Sequence, residues 1–245
     1  MKKNFLVAAM LIISKASIAA SFYAKLGADY LWSRSDNYSI QRTDPIADSM
    51  APELSAGALD NSNGAGNIAL GVRHLLNPNW RLSLEASYVQ LSGYSKNFNP
   101  FMAGPYESDD LINNFHSSMN GNVVAAIVNM DYLVKPDYSI YLAPGLGITH
   151  LSAHSQLNYQ AYDYEDKLVM KAHKAQTNFS PQVAVGLKYA MTQHLTLDLG
   201  LSYIWLGTVR FGELSRDHDE ESKTEVIARN TYLFGPKLNF IYYFS

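Results

Sequence analysis

Seven histidines, His74, His116, His150, His154, His173, His194 and His218, are the side chains of this 245-residue chain best suited to move a proton or hold a metal. A hydrolytic centre needs a base and a nucleophile, or an activated water, within hydrogen-bond reach. His116 stands beside Ser117 and Ser118, but adjacent residues on an extended strand face opposite ways. His150 and His154 share a face, yet four strand residues separate them by about 13 Å, too far for joint metal ligation without a bend. His74 and His194 lie near short turns, and His173 and His218 fall in polar connections without an evident partner. The run Arg216-Asp217-His218-Asp219-Glu220-Glu221 offers carboxylate oxygens, but it lacks the spacing and glycine of a calcium loop and reads as a solvated acidic segment. With no cysteine, thiolate sites and disulfides are excluded. These residues predict no enzyme, no metal centre and no cofactor.

The elements that must position these groups are strands. In Leu195-Thr196-Leu197-Asp198-Leu199-Gly200-Leu201-Ser202-Tyr203 every odd position is large and apolar and every even one small or polar. Side chains of a strand alternate between faces, so this segment has one greasy and one polar face. At the amino end, Lys2 and Lys3 precede an apolar run from Phe5 to Ile13, and Ser17-Ile18-Ala19 offers small residues for cleavage. That pattern predicts a secretory signal peptide over residues 1–19 and a mature domain over 20–245. Losing three lysines there takes the net charge from −3 to −6. An acidic chain lacks the basic stripe a nucleic-acid partner requires. No apolar run approaches 18 residues, so no membrane-spanning helix is expected.

Eight alternating segments are readable, at 21–32, 64–75, 80–94, 122–133, 138–152, 179–190, 195–209 and 227–244. The connections after the second, fourth and sixth are short, and two of them pair Pro with Asn or Asp, which is turn chemistry. The other four, 33–63, 95–121, 153–178 and 210–226, are long and polar. An up-and-down meander puts these two sets at opposite ends, as in outer-membrane barrels. Pro144, Pro181 and Pro236 fall inside proposed strands and predict a bulge or a strand end at each.

Parity assigns the two faces. Lys25, Asp29, Arg73, Arg81, Glu85, Asp131, Lys188, Asp198 and Lys237 point inward, and the nearly balanced charge predicts a salt-bridged plug filling the lumen. A gated ion path through that plug is the alternative. Lys188 and Asp198, near each other across a short turn, are predicted to interact. On the apolar face, Phe22, Trp80, Tyr132, Tyr138, Tyr189 and Phe244 collect near the short turns. Tyr30, Trp32, Tyr88, Tyr203, Trp205 and Phe234 collect near the long connections. Ten residues of tilted strand span roughly 25 Å, the height of the apolar band between aromatic girdles. A soluble barrel would turn the same apolar set inward, with no reason to hold rings at two heights. The greasy face is therefore predicted to meet lipid.

The terminal run Leu238-Asn239-Phe240-Ile241-Tyr242-Tyr243-Phe244 resembles the assembly signal of outer-membrane barrels, with Phe240, Tyr242 and Phe244 at alternate positions, although Ser245 follows. Together with Tyr141-Leu142-Ala143-Pro144-Gly145-Leu146-Gly147 and Gly186-Leu187-Lys188-Tyr189, it makes the chain similar to the opacity-protein and outer membrane protein A barrel superfamily of Gram-negative bacteria. The resemblance implies an all-β, eight-stranded antiparallel transmembrane barrel in the outer membrane. Its implied partners are outer-membrane lipids, the barrel-assembly machinery and host or cell-surface molecules. The expected role is structural or adhesin-like, through four long external loops. Phe101, Met102 and Tyr106 in the second loop are the candidate contact patch, with folding back onto the barrel rim as the equal alternative. A narrow or gated porin-like channel is the alternative, and a lipid-modifying or proteolytic enzyme is the third reading.

Overall fold

The computed structural model describes residues 20–35, 37–42, 54–55, 61–98, 114–159, 168–216 and 219–244. Eight long strands form the wall: β1 (Ser21–Arg34), β4 (Asn61–Asn77), β5 (Trp80–Phe98), β6 (Asn114–Lys135), β7 (Tyr138–Tyr159), β8 (Leu168–Ala190), β9 (Leu195–Arg216) and β10 (Asp219–Tyr243). Two short strands, β2 (Asn37–Arg42) and β3 (Leu54–Ser55), lie between β1 and β4. Each long strand pairs antiparallel with the next, and β1 pairs with β10, closing the sheet into a ring. β2 continues along β10 in the register of β1: Arg34 faces Tyr232 and Asn37 faces Arg229. Closure matters because it leaves none of the ring strands with an unpaired edge.

The short turns are locally encoded. Asn77 Oδ1 accepts the N–H groups of Asn79 (3.0 Å) and Trp80 (2.9 Å), and Pro78 completes the reversal. Thr192 Oγ1 does the same for His194 (3.2 Å) and Leu195 (3.0 Å). At the other end the strands run well past the segments expected from sequence. β6 and β7 stay paired from Ile127↔Gly145 up to Asn114↔Asn158, and β7 and β8 up to Tyr159↔Leu168. The described parts of the connections expected to be long loops are thus largely strand, and at the acidic run Asp219 of β10 pairs with Arg216 of β9. Phe101, Met102, Tyr106, Asp217, His218, Ser245 and the leader 1–19 lie outside the described residues.

The prolines act differently from the expectation of bulges or ends. None of the three terminates a strand or shifts the register. Instead, pairing lapses on one side and resumes in step. It lapses between Ile127↔Gly145 and Met130↔Leu142 beside Pro144, and between Asp29↔Lys237 and Trp32↔Phe234 beside Pro236. The physical reason is that a missing N–H deletes one ladder bond but leaves the neighbouring strands in place. At Pro181 the lapse is longer: β8 and β9 pair up to Gln182↔Ile204 and next at Lys171↔Ser215. Gly207 and Gly212, with φ of 73° and 92°, buckle β9 across this stretch. Side-chain amides bridge the gap. Asn178 Nδ2 donates to the carbonyls of Leu206 (2.6 Å) and Thr208 (2.9 Å), and Arg210 N–H donates to Gln176 Oε1 (3.1 Å).

Candidate functional site

The barrel interior has two storeys of opposite polarity. Near the short turns it holds the ionised groups singled out by parity. Lys25, Asp29, Glu85, Asp131, Lys188 and Asp198 are buried, the three carboxylates Glu85, Asp131 and Asp198 to 2% exposure each. Arg73, Arg81 and Lys237 also lie on the inward face, partly buried. Lys25 pairs with Glu85, whose Oε2 also accepts the Tyr23 hydroxyl (3.0 Å) and Asn129 Nδ2 (3.2 Å). Asn67 Nδ2 donates to Asp29 Oδ1 at 2.9 Å. Arg73 stacks its guanidinium 3.7 Å above the Tyr243 ring and donates from Nε to Ser21 Oγ at 3.3 Å.

Lys188 and Asp198 face the lumen side by side as expected, but the direct ion pair of each is with another residue. The two residues are register partners on β8 and β9, but Lys188 Nζ bonds Asp131 Oδ1 at 2.6 Å. Asp198 Oδ2 instead accepts Asn239 Nδ2 at 2.7 Å, with Lys237 Nζ at 3.7 Å. The reason is the reach of a lysine in a narrow lumen. Lys188 passes over its other neighbour, the small Ser139 of β7, to a strand two places away. Lys25 likewise passes over Ala69 of β4 to Glu85 of β5. Between the two lysines on the far wall lies Tyr141, its ring 4.7 Å from Lys188 Nζ and 5.2 Å from Lys237 Nζ. It fits because Gly186 and Gly200 face each other beneath it, and a Cβ on either would strike the ring.

A cavity of about 40 Å3, enough for water, separates the storeys and has a mixed lining, with Lys25, Asp29 and Glu85 on one part and Val89, Ile127 and Ile204 on another. Above it the interior is apolar, contrary to the expectation of a wholly polar plug. Leu31, Leu91, Tyr94, Phe115, Val123, Ile204, Leu206, Val209, Phe211 and Leu233 are fully buried in one cluster. Over the same height many outward positions are polar or titratable, among them Gln90, Asn120, His150, His154 and Thr177. The upper barrel is built like a soluble one, greasy within and wet without, while the lower barrel is the reverse. Above the cluster, buried Glu225 accepts both Lys174 Nζ (3.0 Å) and Arg210 (2.8 Å). Sequence reasoning missed this storey. Its signal is a swap in which parity is apolar, visible in Phe115 and Met119 against His116, Ser118 and Asn120.

The outward face of the lower barrel carries the exposed apolar set, Leu26, Leu70, Leu84, Val128, Leu187 and Leu199 among it. The twelve aromatics assigned to two levels all project from this wall: Phe22, Trp80, Tyr132, Tyr138, Tyr189 and Phe244 toward the short turns, and Tyr30, Trp32, Tyr88, Tyr203, Trp205 and Phe234 toward the rim. Several touch across strands, with ring centroids at 5.1 Å for Trp80 and Tyr132, 4.8 Å for Tyr138 and Tyr189, and 5.5 Å for Trp32 and Phe234. Phe240, Tyr242 and Phe244 share the outward face of the last strand and its end. His116 points out and binds Asn97 Oδ1 through Nδ1 at 2.5 Å, while Ser117 points inward and is buried. His150 and His154 stay apart as expected, but His154 stacks on His173 across the β7–β8 ladder.

A closed antiparallel barrel with an apolar outer belt and paired charges within its lower lumen is the architecture of a transmembrane β-barrel. A family model described as outer membrane protein beta-barrel domain matches residues 5–230. The chain belongs to that family and is a protein of the bacterial outer membrane. Among solved structures it is similar to the Neisserial surface protein NspA, at 14% identity over 92% of this chain and 99% of that one, with a TM-score of 0.41. It is similar to OprG of Pseudomonas aeruginosa at 11% identity, over 91% and 96% of the two chains, with a TM-score of 0.48. The Yersinia pestis attachment invasion locus protein Ail shares 12% identity, over 89% and 97%, with a TM-score of 0.33. No curated protein matches the chain.

Proposed function

We propose that this protein is a surface-exposed structural or adhesin-like barrel, closed to ion flow, that presents contact segments from a rigid rim above the membrane. The observation that carries the reading is the apolar cluster filling the outer half of the lumen. An ion crossing there would lose its hydration among apolar side chains, a cost of many kcal/mol. Residues 99–113, with Phe101, Met102 and Tyr106, follow Phe98 at the end of β5, and that position in the chain supports a contact role toward a host or cell-surface molecule. Residues 1–19 act as a removable export signal, and 20–245 form the barrel domain. Phe240, Tyr242 and Phe244 serve the barrel-assembly machinery, and the outward aromatics anchor the wall at the two lipid interfaces. His116 and Ser117, the histidine–serine neighbours that hinted at a hydrolase, face opposite sides of the wall and form no nucleophile–base pair.

The porin-like alternative has one supporting observation, the water-sized cavity beside Lys25 and Asp29. Planar-bilayer recording separates the two. The folded protein is expected to be electrically silent, and reproducible discrete conductance would overturn the sealed reading. Replacing residues 99–113 by a Gly-Ser linker should abolish adhesion of bacteria that display the protein and leave the heat-shifted electrophoretic band. Unchanged adhesion would remove the contact role from that segment.

A further inference from the structure

His154 of β7 and His173 of β8 are direct cross-strand partners. Both side chains point away from the barrel and are exposed, on the wet part of the wall. Their rings stack with centroids 4.4 Å apart at 26°. Both Nε2 atoms converge on one point: Ser152 Oγ lies 3.3 Å from that of His154 and 3.0 Å from that of His173. A hydroxyl has one proton, so it donates to one bare nitrogen and accepts an N–H from the other. The neutral pair is thereby held in opposite tautomers, with one Nε2 lone pair already turned toward the shared centre. Loss of the second Nε2 proton, with the tautomer moving to Nδ1–H, presents two imidazole lone pairs to the same point.

We propose that His154 and His173 form a surface site for a divalent first-row transition-metal ion, with Ser152 and solvent completing its shell. Imidazole ligands select Cu2+, Ni2+ or Zn2+ over the oxygen-seeking Ca2+ and Mg2+. Metal–nitrogen bonds of about 2.0–2.1 Å require the two Nε2 atoms to close on the ion. The rings are exposed and opposite one another, so small side-chain rotations suffice, with no change in the strands. The second histidine binds intramolecularly once the first has the ion, which is the source of the added affinity. His150, paired through Nδ1 with Thr177 Oγ1 at 3.0 Å, and His116, paired with Asn97, lie on the same wet wall and supply matched single-histidine controls.

The test is titration of the detergent-folded full chain with CuCl2, followed by calorimetry and electron paramagnetic resonance. A site with two-nitrogen superhyperfine structure is expected. His154→Gln and His173→Gln should each weaken it by about tenfold or more. His116→Gln and His150→Gln should leave it unchanged, and ZnCl2 should compete while CaCl2 does not. Each variant is first checked for the heat-shifted barrel band, which these exposed positions should not alter. Equal copper affinity in the wild type and the doubly substituted chain would overturn the proposal, as would a one-nitrogen spectrum in the wild type.

Discussion

Glu85 is the residue whose change tests the lower storey most sharply. Three donors converge on its carboxylate: the Lys25 ammonium, the Tyr23 hydroxyl and Asn129 Nδ2. The carboxylate is almost wholly buried, as is the ammonium that it balances. Glu85→Gln keeps the shape and one acceptor oxygen but leaves buried Lys25 without its ion-pair partner. Breaking a buried pair by removing one partner costs about 3–5 kcal/mol. Hydrogen bonds to a charged group contribute about 1.5–3 kcal/mol each and are not additive here. A loss of about 4 kcal/mol is therefore expected, read as a shift in the urea midpoint for the heat-shifted form in detergent. The paired change Lys25→Met with Glu85→Leu removes both charges and should recover much of that loss, because desolvation no longer has to be offset. A Glu85→Gln chain within about 1 kcal/mol of wild type would refute the argument, since that is the value of an exposed ion pair.

Leu70→Arg, on the outward face near mid-height of the lower barrel, should cost about 2–4 kcal/mol in lipid, read by folding into vesicles. Asn120→Arg, outward on the upper barrel, should stay within about 0.5 kcal/mol in the same assay. Phe211→Ala should cost about 3–5 kcal/mol through the cavity left in the apolar cluster, measured by the same unfolding curve. A near-neutral Phe211→Ala would mean that the upper lumen is not a packed core.

The ring of eight strands was legible because its two cues are local. Period-two alternation survives in every lower segment, and Pro78 or Pro136 beside Asn or Asp marks the tight turns. The inward charges followed from the same parity, since a closed barrel fixes which face is confined. Their partners were not legible. Register neighbours such as Lys188 and Asp198 are a local inference, whereas the reach of a lysine across Ser139 depends on lumen width. The upper barrel escaped notice because apolar outward positions were the cue, and above the rim rings that cue reverses. Gly93, Gly207 and Gly212, all at positive φ, blur the parity further by buckling β5 and β9. The His154–His173 contact is set by a pairing across residues 155–172, which no spacing rule along one strand reveals.

One continuous wall meets lipid below and water above, with the interior polarity reversed in step. The chain has no cysteine, so single cysteines carry nitroxide labels without background. Labels at Val128 and Asn120 share the outward face of β6, and labels at Leu187 and Ala175 share that of β8. In reconstituted vesicles, power-saturation measurements should show positions 128 and 187 open to oxygen and shielded from a water-soluble nickel complex. Positions 120 and 175 should show the opposite. Nickel access at all four would contradict the account, because a barrel wet along its whole outer wall does not cross a membrane.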